Sequence, residues 1–182
     1  MFRRGRHERA GFQLYGAAVA AARDPFFYAR LGVPDTLDGR FDLVGLHVCL
    51  LIRRLRHDAP PGPALAQAVF DAMFSDMDIN LREIGVSDLS VPKRVRAMWE
   101  ALNGRARAYE AALDAADMAA LAAALGRNVW RDASAGAAPE TLAAIARAQA
   151  AGLAGQPLDA LARGEASFLC AAEAAVAEAG AA

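Results

Sequence analysis

From Leu14 to Ala179 apolar residues recur at intervals of three and four, and nowhere do they alternate with polar ones in the period of two that a half-buried strand requires. A chain patterned in this way buries its apolar surface by packing helix on helix, so the fold class is all-α. Hydrophobic residues make up 55% of the chain. Much of that share is alanine, which loses no side-chain entropy in a helix. At 182 residues the chain suits a single globular helical bundle with its own core, needing neither disulfides nor metal to fold.

The breaks between helices are written in local chemistry. A first helix spans Leu14 to Ala22, and Asp24-Pro25 supplies an N-cap and a proline for a short one from Phe26 to Leu31. Gly32-Val33-Pro34 ends it in the manner of a glycine C-cap. A strongly apolar helix then runs from Phe41 to His57, with Arg53, Arg54 and Arg56 in its last turn, where cations complement the helix dipole. Ala59-Pro60-Pro61-Gly62-Pro63 is a break that opens the next helix, Ala64 to Ile84, whose buried stripe is Val69, Phe70, Met73, Phe74, Met77 and Leu81. Gly85-Val86 closes it, and Pro92 starts a helix whose stripe is Val95, Met98, Trp99, Leu102, Ala106, Tyr109 and Leu113. Another helix covers Met118 to Trp130. Helical stretches from Glu140 to Ala151 and from Leu158 to Ala179 carry few bulky side chains and are expected to attach loosely to the bundle.

The resulting organisation is a mobile basic leader over residues 1–13, a helical domain over 14–132, a flexible linker over 133–139 and alanine-rich C-terminal helices over 140–182. The leader is arginine-rich and acid-poor, which also suits an organelle transit peptide or contact with anionic lipid. The longest uncharged apolar stretch, Leu43 to Ile52, falls far short of the ~20 residues a membrane span needs.

Residues capable of chemistry are few. Cys49 and Cys170 lie far apart in apolar helical runs and read as two reduced, buried thiols. His47, surrounded by Leu46, Val48 and Leu50, reads as a hydrogen-bonded core histidine. The helix carrying Asp71, Asp76, Asp78 and Glu83 lacks the Glu-x-x-His of helical metal sites, and Asp78 and Arg82 are spaced to pair with each other. No serine sits in a GxSxG elbow, and no phosphate-binding loop is present. No cofactor, metal site or catalytic residue is therefore expected. The acidic run is followed by Lys93, Arg94, Arg96, Arg105 and Arg107, a distribution better suited to a protein-binding surface than to catalysis. The same cations allow a ribosome or RNA contact. A further alternative is a metal- or small-molecule-dependent enzyme with Asp76, Asp78 and His47 lining a pocket.

Two motifs stand out, LGVPDTLDGRFD and FSDMDINLREIGVSDLSVPKRV. With the helices around them, from about Tyr15 to Trp130, they resemble the ubiquinol-cytochrome c chaperone family, shared by mitochondrial assembly factors of respiratory complex III and alphaproteobacterial homologues. The resemblance implies a non-enzymatic helical domain that assists cytochrome b early in assembly of the complex. It also implies partners: cytochrome b or another complex III assembly protein, and, for mitochondrial members, a small partner protein near the ribosomal exit. The family motif maps onto Asp76, Asp78, Leu81, Arg82, Glu83 and Gly85, and onto Asp35, Asp38, Gly39, Arg40 and Asp42. With Lys93, Arg94 and Arg96, the charged members of these sets form the expected partner-binding surface. Similarity that begins near Tyr15 leaves little room for a full transit peptide. The expected location is cytoplasmic, peripheral at the inner-membrane face, with a mitochondrial protein as the alternative. An alanine and arginine excess, with lysine only at Lys93, fits a GC-rich genome.

Overall fold

A computed structural model describes residues 2–131 and 135–179. Nine α-helices are present among them: α1 (Phe2–Ala22), α2 (Pro25–Ala29), α3 (Leu37–Arg56), α4 (Gly62–Glu83), α5 (Val91–Asp114), α6 (Met118–Leu125), α7 (Ala138–Ala154), α8 (Leu158–Ala162) and α9 (Ala171–Ala179). A single π-helical turn, Gly126–Trp130, extends α6. No strand occurs among the described residues.

The helix ends follow their capping residues. Asp24 accepts the Phe26 N–H at 2.9 Å and opens α2. Thr36 accepts the Gly39 N–H at 3.2 Å and opens α3, and Asp117 accepts the Ala120 N–H at 2.9 Å and opens α6. Gly85, at φ +85°, turns the chain out of α4 while Val86 donates back to the Leu81 carbonyl at 3.0 Å.

α3 is the central element. Its Leu43, Leu46, Leu51 and Leu55 are buried, and α1, α4, α5 and α7 pack around it. α1 lies along α4 so closely that a Cβ built on Gly11 would stand 2.6 Å from the carbonyl carbon of Ala68. Gly11→Ala should therefore force the two helices apart and lower stability by about 1–3 kcal/mol in urea unfolding. Gly16→Ala, on the same helix but with nothing within 4 Å, should be neutral or slightly stabilising. Equal effects of the two substitutions would contradict this packing.

Several expectations are corrected. Residue 1 of the expected leader lies outside the described residues, and residues 2–13 are the first half of α1, because α4 gives them a face to pack on: Ala10 is 3% exposed and Gly11 is buried. The C-terminal region is not loosely attached. Leu142 and Ile145 of α7 are fully buried and the helix packs on α3, α6 and α9. Its alanines do not weaken this contact, since small side chains let helix backbones approach closely and Ala143, Ala146 and Ala148 are buried. The helix expected from Leu158 to Ala179 is two, α8 and α9, with residues 165–170 outside any helix between them. Of the linker placed at 133–139, residues 133 and 134 lie outside the described residues, and α7 already begins at Ala138.

Candidate functional site

The last turns of α4, the turn at Gly85 and the first half of α5 form a charged helical hairpin. Asp76 faces inward and accepts a hydrogen bond from the Tyr15 hydroxyl at 2.7 Å, tying α4 to α1; burial, with Asp76 beside it, raises the Tyr15 phenol above its ordinary pKa. Asp78 pairs with Arg82 at 2.7 Å, and Arg82 also reaches Asp88. Arg96 pairs with Glu100 at 3.0 Å. Glu83, Lys93 and Arg94 are exposed. Arg105, counted among the basic-helix cations, turns inward to Asp42, so the cations of α5 do not form one continuous face.

The first motif divides between surface and interior. Arg40 holds the exposed Asp35 carboxyl below its ordinary range from 2.6 Å away. Asp38 pairs with Arg131 at 3.1 Å. Asp42, placed in the expected partner-binding set, is only 5% exposed and is held by Arg105 and Arg131, so it serves the fold and not the surface. Burial pushes its carboxyl above the ordinary range despite both guanidiniums.

Beside the hairpin, α3, α4 and α5 leave an apolar groove of about 430 Å³. Cys49 and Ile52 of α3, Phe70 of α4, and Trp99, Leu102 and Leu113 of α5 line it. Phe70 and Phe74 stack with centroids 4.4 Å apart, and Trp99 is 38% exposed. Along the same edge Arg53 pairs with Asp114 at 2.6 Å and Arg56 pairs with Glu110, so the charges there are mutually compensated. Further apolar side chains stand in solvent on the hairpin: Ile79, Ile84 and Leu89, the last 93% exposed. Cys49, expected to be buried, is half-buried in the groove wall, and desolvation there pushes its thiol up to about 12. Cys170, expected to be buried, is exposed.

The side chains considered for catalysis do not converge. His47 is 1% exposed, donates from Nδ1 to the Leu43 carbonyl at 2.8 Å, and has its pKa lowered to about 4 by burial; it is a neutral core residue. Asp76 and Asp78 are engaged by Tyr15 and Arg82 respectively. No group of three or more His, Cys, Asp or Glu poised for a metal occurs among the described residues.

The groove is not legible in the sequence, because Phe70 and Trp99 fit the apolar stripes of core-facing helices. One signal was available: α5 carries more large apolar residues than its neighbours cover, and of its stripe only Leu102 and Tyr109 are buried. No helix among the described residues is long and apolar enough to cross a membrane.

A family model described as ubiquinol-cytochrome C chaperone matches residues 29–168. The match continues past Trp130, where the resemblance read from the motifs stopped, and takes in α7, α8 and most of the stretch before α9. Ubiquinol-cytochrome-c reductase complex assembly factor 1 of Xenopus laevis is 24% identical over 120 residues, which are 66% of this chain. The chain spans about 60% of the length of that curated relative. The crystal structure of the Cbp3 homolog from Brucella abortus is similar at a TM-score of 0.84 and 39% identity, covering 94% of this chain and 96% of that one.

Proposed function

This chain belongs to the ubiquinol-cytochrome c chaperone family, and from that premise we propose that it is an assembly chaperone for ubiquinol-cytochrome c reductase that binds cytochrome b, or a protein that holds it, during biogenesis. The observation that carries the binding part of this reading is the α3–α4–α5 groove. Its wall is apolar, its neighbouring charges are paired among themselves, and Trp99 and Phe70 offer the kind of aromatic anchors that dominate protein interfaces. A hydrophobic client not yet folded or assembled presents the complementary surface.

The charged hairpin has a separate task in this reading. Asp78, Arg82, Glu83, Lys93, Arg94 and Arg96 border the groove-bearing helices on the exposed side, and Asp35, Asp38 and Arg40 lie exposed at the start of α3. Such rim charges steer encounter and select a partner more than they add affinity. The chain acts at the cytoplasmic face of the inner membrane, where a membrane-embedded client is delivered, and it binds without performing a reaction.

Complementation of a strain lacking the gene tests this. The intact chain should restore assembled complex III and the cytochrome b absorbance. Trp99→Glu should not, since a charge in the groove would weaken client binding by roughly 30-fold or more, whereas the fold should survive because Trp99 is already 38% exposed. Full restoration by a folded Trp99→Glu protein would remove the groove from the function, and normal complex III in the deletion strain would remove the function itself.

A further inference from the structure

A second site lies on the side of the bundle formed by α2, α3 and α7. Residues 165–170 lie outside any helix, and two glutamine side chains, Gln149 of α7 and Gln156 just beyond its end, take up backbone groups of Ser167 and Leu169. Gln156 accepts the Ser167 N–H at 2.9 Å and donates to the Ser167 carbonyl at 2.6 Å. Seven residues earlier, Gln149 does the same for Leu169, accepting its N–H at 2.8 Å and donating to its carbonyl at 2.7 Å. Each carboxamide thus offers a donor and an acceptor to one of two alternate residues of the segment, as a neighbouring β-strand would. Gln149 is 2% exposed, so its amide would be unsatisfied without this segment.

The intervening residue is read on its other side. The Phe168 ring meets the edge of His47 with centroids 5.4 Å apart, and His47 meets Phe27 of α2 at 5.6 Å. Asp24 then accepts the Ala171 N–H at 3.0 Å at the start of α9. Backbone clamps on two alternate residues, with a pocket for the side chain between them, are the chemistry by which proteins bind extended peptides by strand addition. Beyond the segment, the nine-residue α9 returns to α7 and buries Ala171 and Ala174, while Val176 stays 71% exposed.

We propose that the groove bounded by Gln149, Gln156, His47 and Asp24 is a peptide-binding site, occupied in cis by residues 165–170 and open by exchange to an extended segment of a partner protein that carries an aromatic residue between the two clamped positions. The site is separate from the α3–α4–α5 groove and does not depend on the function proposed for it. Specificity resides in the aromatic position, because the glutamines read only backbone.

The test uses the full chain and a fluorescein-labelled synthetic peptide of residues 163–176, followed by fluorescence anisotropy. On the unaltered protein the tethered segment competes at an effective concentration of about millimolar, so micromolar peptide should bind weakly. Ser167→Pro removes one N–H from the resident segment, and Phe168→Ala empties its pocket; neither alters the groove. Both should raise peptide affinity at least 10-fold. Adding Gln149→Ala to either should abolish that gain, and a peptide with alanine in place of its phenylalanine should fail to bind. Unchanged anisotropy with folded Ser167→Pro and Phe168→Ala proteins would overturn the proposal, as would loss of folding in both. A concentration-dependent dimer formed by mutual exchange of residues 165–170 would give the groove to a second copy and overturn the partner assignment.

Discussion

Replacing Arg105 with methionine should lower stability by about 3 kcal/mol at neutral pH and by clearly less in acid. The Asp42 side chain is 2% exposed and is shared by Arg105 of α5 and Arg131 beyond the π-helical turn, the latter at 3.3 Å. Removing Arg105 leaves a buried carboxylate facing only Arg131, whose side chain is 47% exposed. The pH dependence follows from the direction of the Asp42 shift. Burial already raises its carboxyl, so the folded state favours the protonated form. Stabilisation from that form is fully present below the unfolded-state pKa and is lost as pH rises through the folded one. Loss of a guanidinium raises the folded value further, so the deficit of the variant should widen from about pH 4 to pH 7. Asp42→Asn should cost less at neutral pH, because Arg105 and Arg131 keep access to water, and the double variant should recover part of the loss from Arg105→Met. Urea unfolding across that pH range gives the comparison, and a deficit independent of pH would show that Asp42 is not the group left uncompensated.

Local chemistry was legible in the sequence and long-range pairing was not. Asp24-Pro25 and Gly85-Val86 mark helix ends because caps are made within a few residues, and the structure places both as read. Asp42 sits in a motif of charged residues and looks like one more surface carboxylate. What buries it are arginines 63 and 89 residues further on, and no periodicity announces them. Trp99 failed in the opposite direction. An apolar stripe records what a helix can bury, whereas burial also needs a neighbour, and the start of α5 has too little of one. Gln149 and Gln156 carried no motif at all, since a clamp on another segment's backbone leaves no mark in that segment's side chains. In the alanine-rich tail a scarcity of bulky residues hides close packing, since Ala143 and Ala146 are buried beside Leu142 and Ile145.

Leu142→Ala puts that packing to the test. Leu142 is fully buried in α7, which lies against α3 and α6. Its truncation should lower stability by about 2–5 kcal/mol, the range for a leucine lost from a core that cannot collapse onto the gap. Arg54 gives a reason to expect that α7 will not simply detach: from α3 it donates to the Leu153 and Gln156 carbonyls, each at 2.9 Å, holding the end of α7 to the central helix. The variant should therefore unfold in one transition, with circular dichroism and tryptophan fluorescence coincident, because the region packed around Leu142 and the one that buries Trp130 share a core. Val176→Ala, at a position 71% exposed on α9, should stay within about 0.5 kcal/mol of the unaltered chain. If instead Leu142→Ala produced an early transition that left the remaining helices folded, α7 would be an appendage, and the match across residues 29–168 would join two units that fold separately.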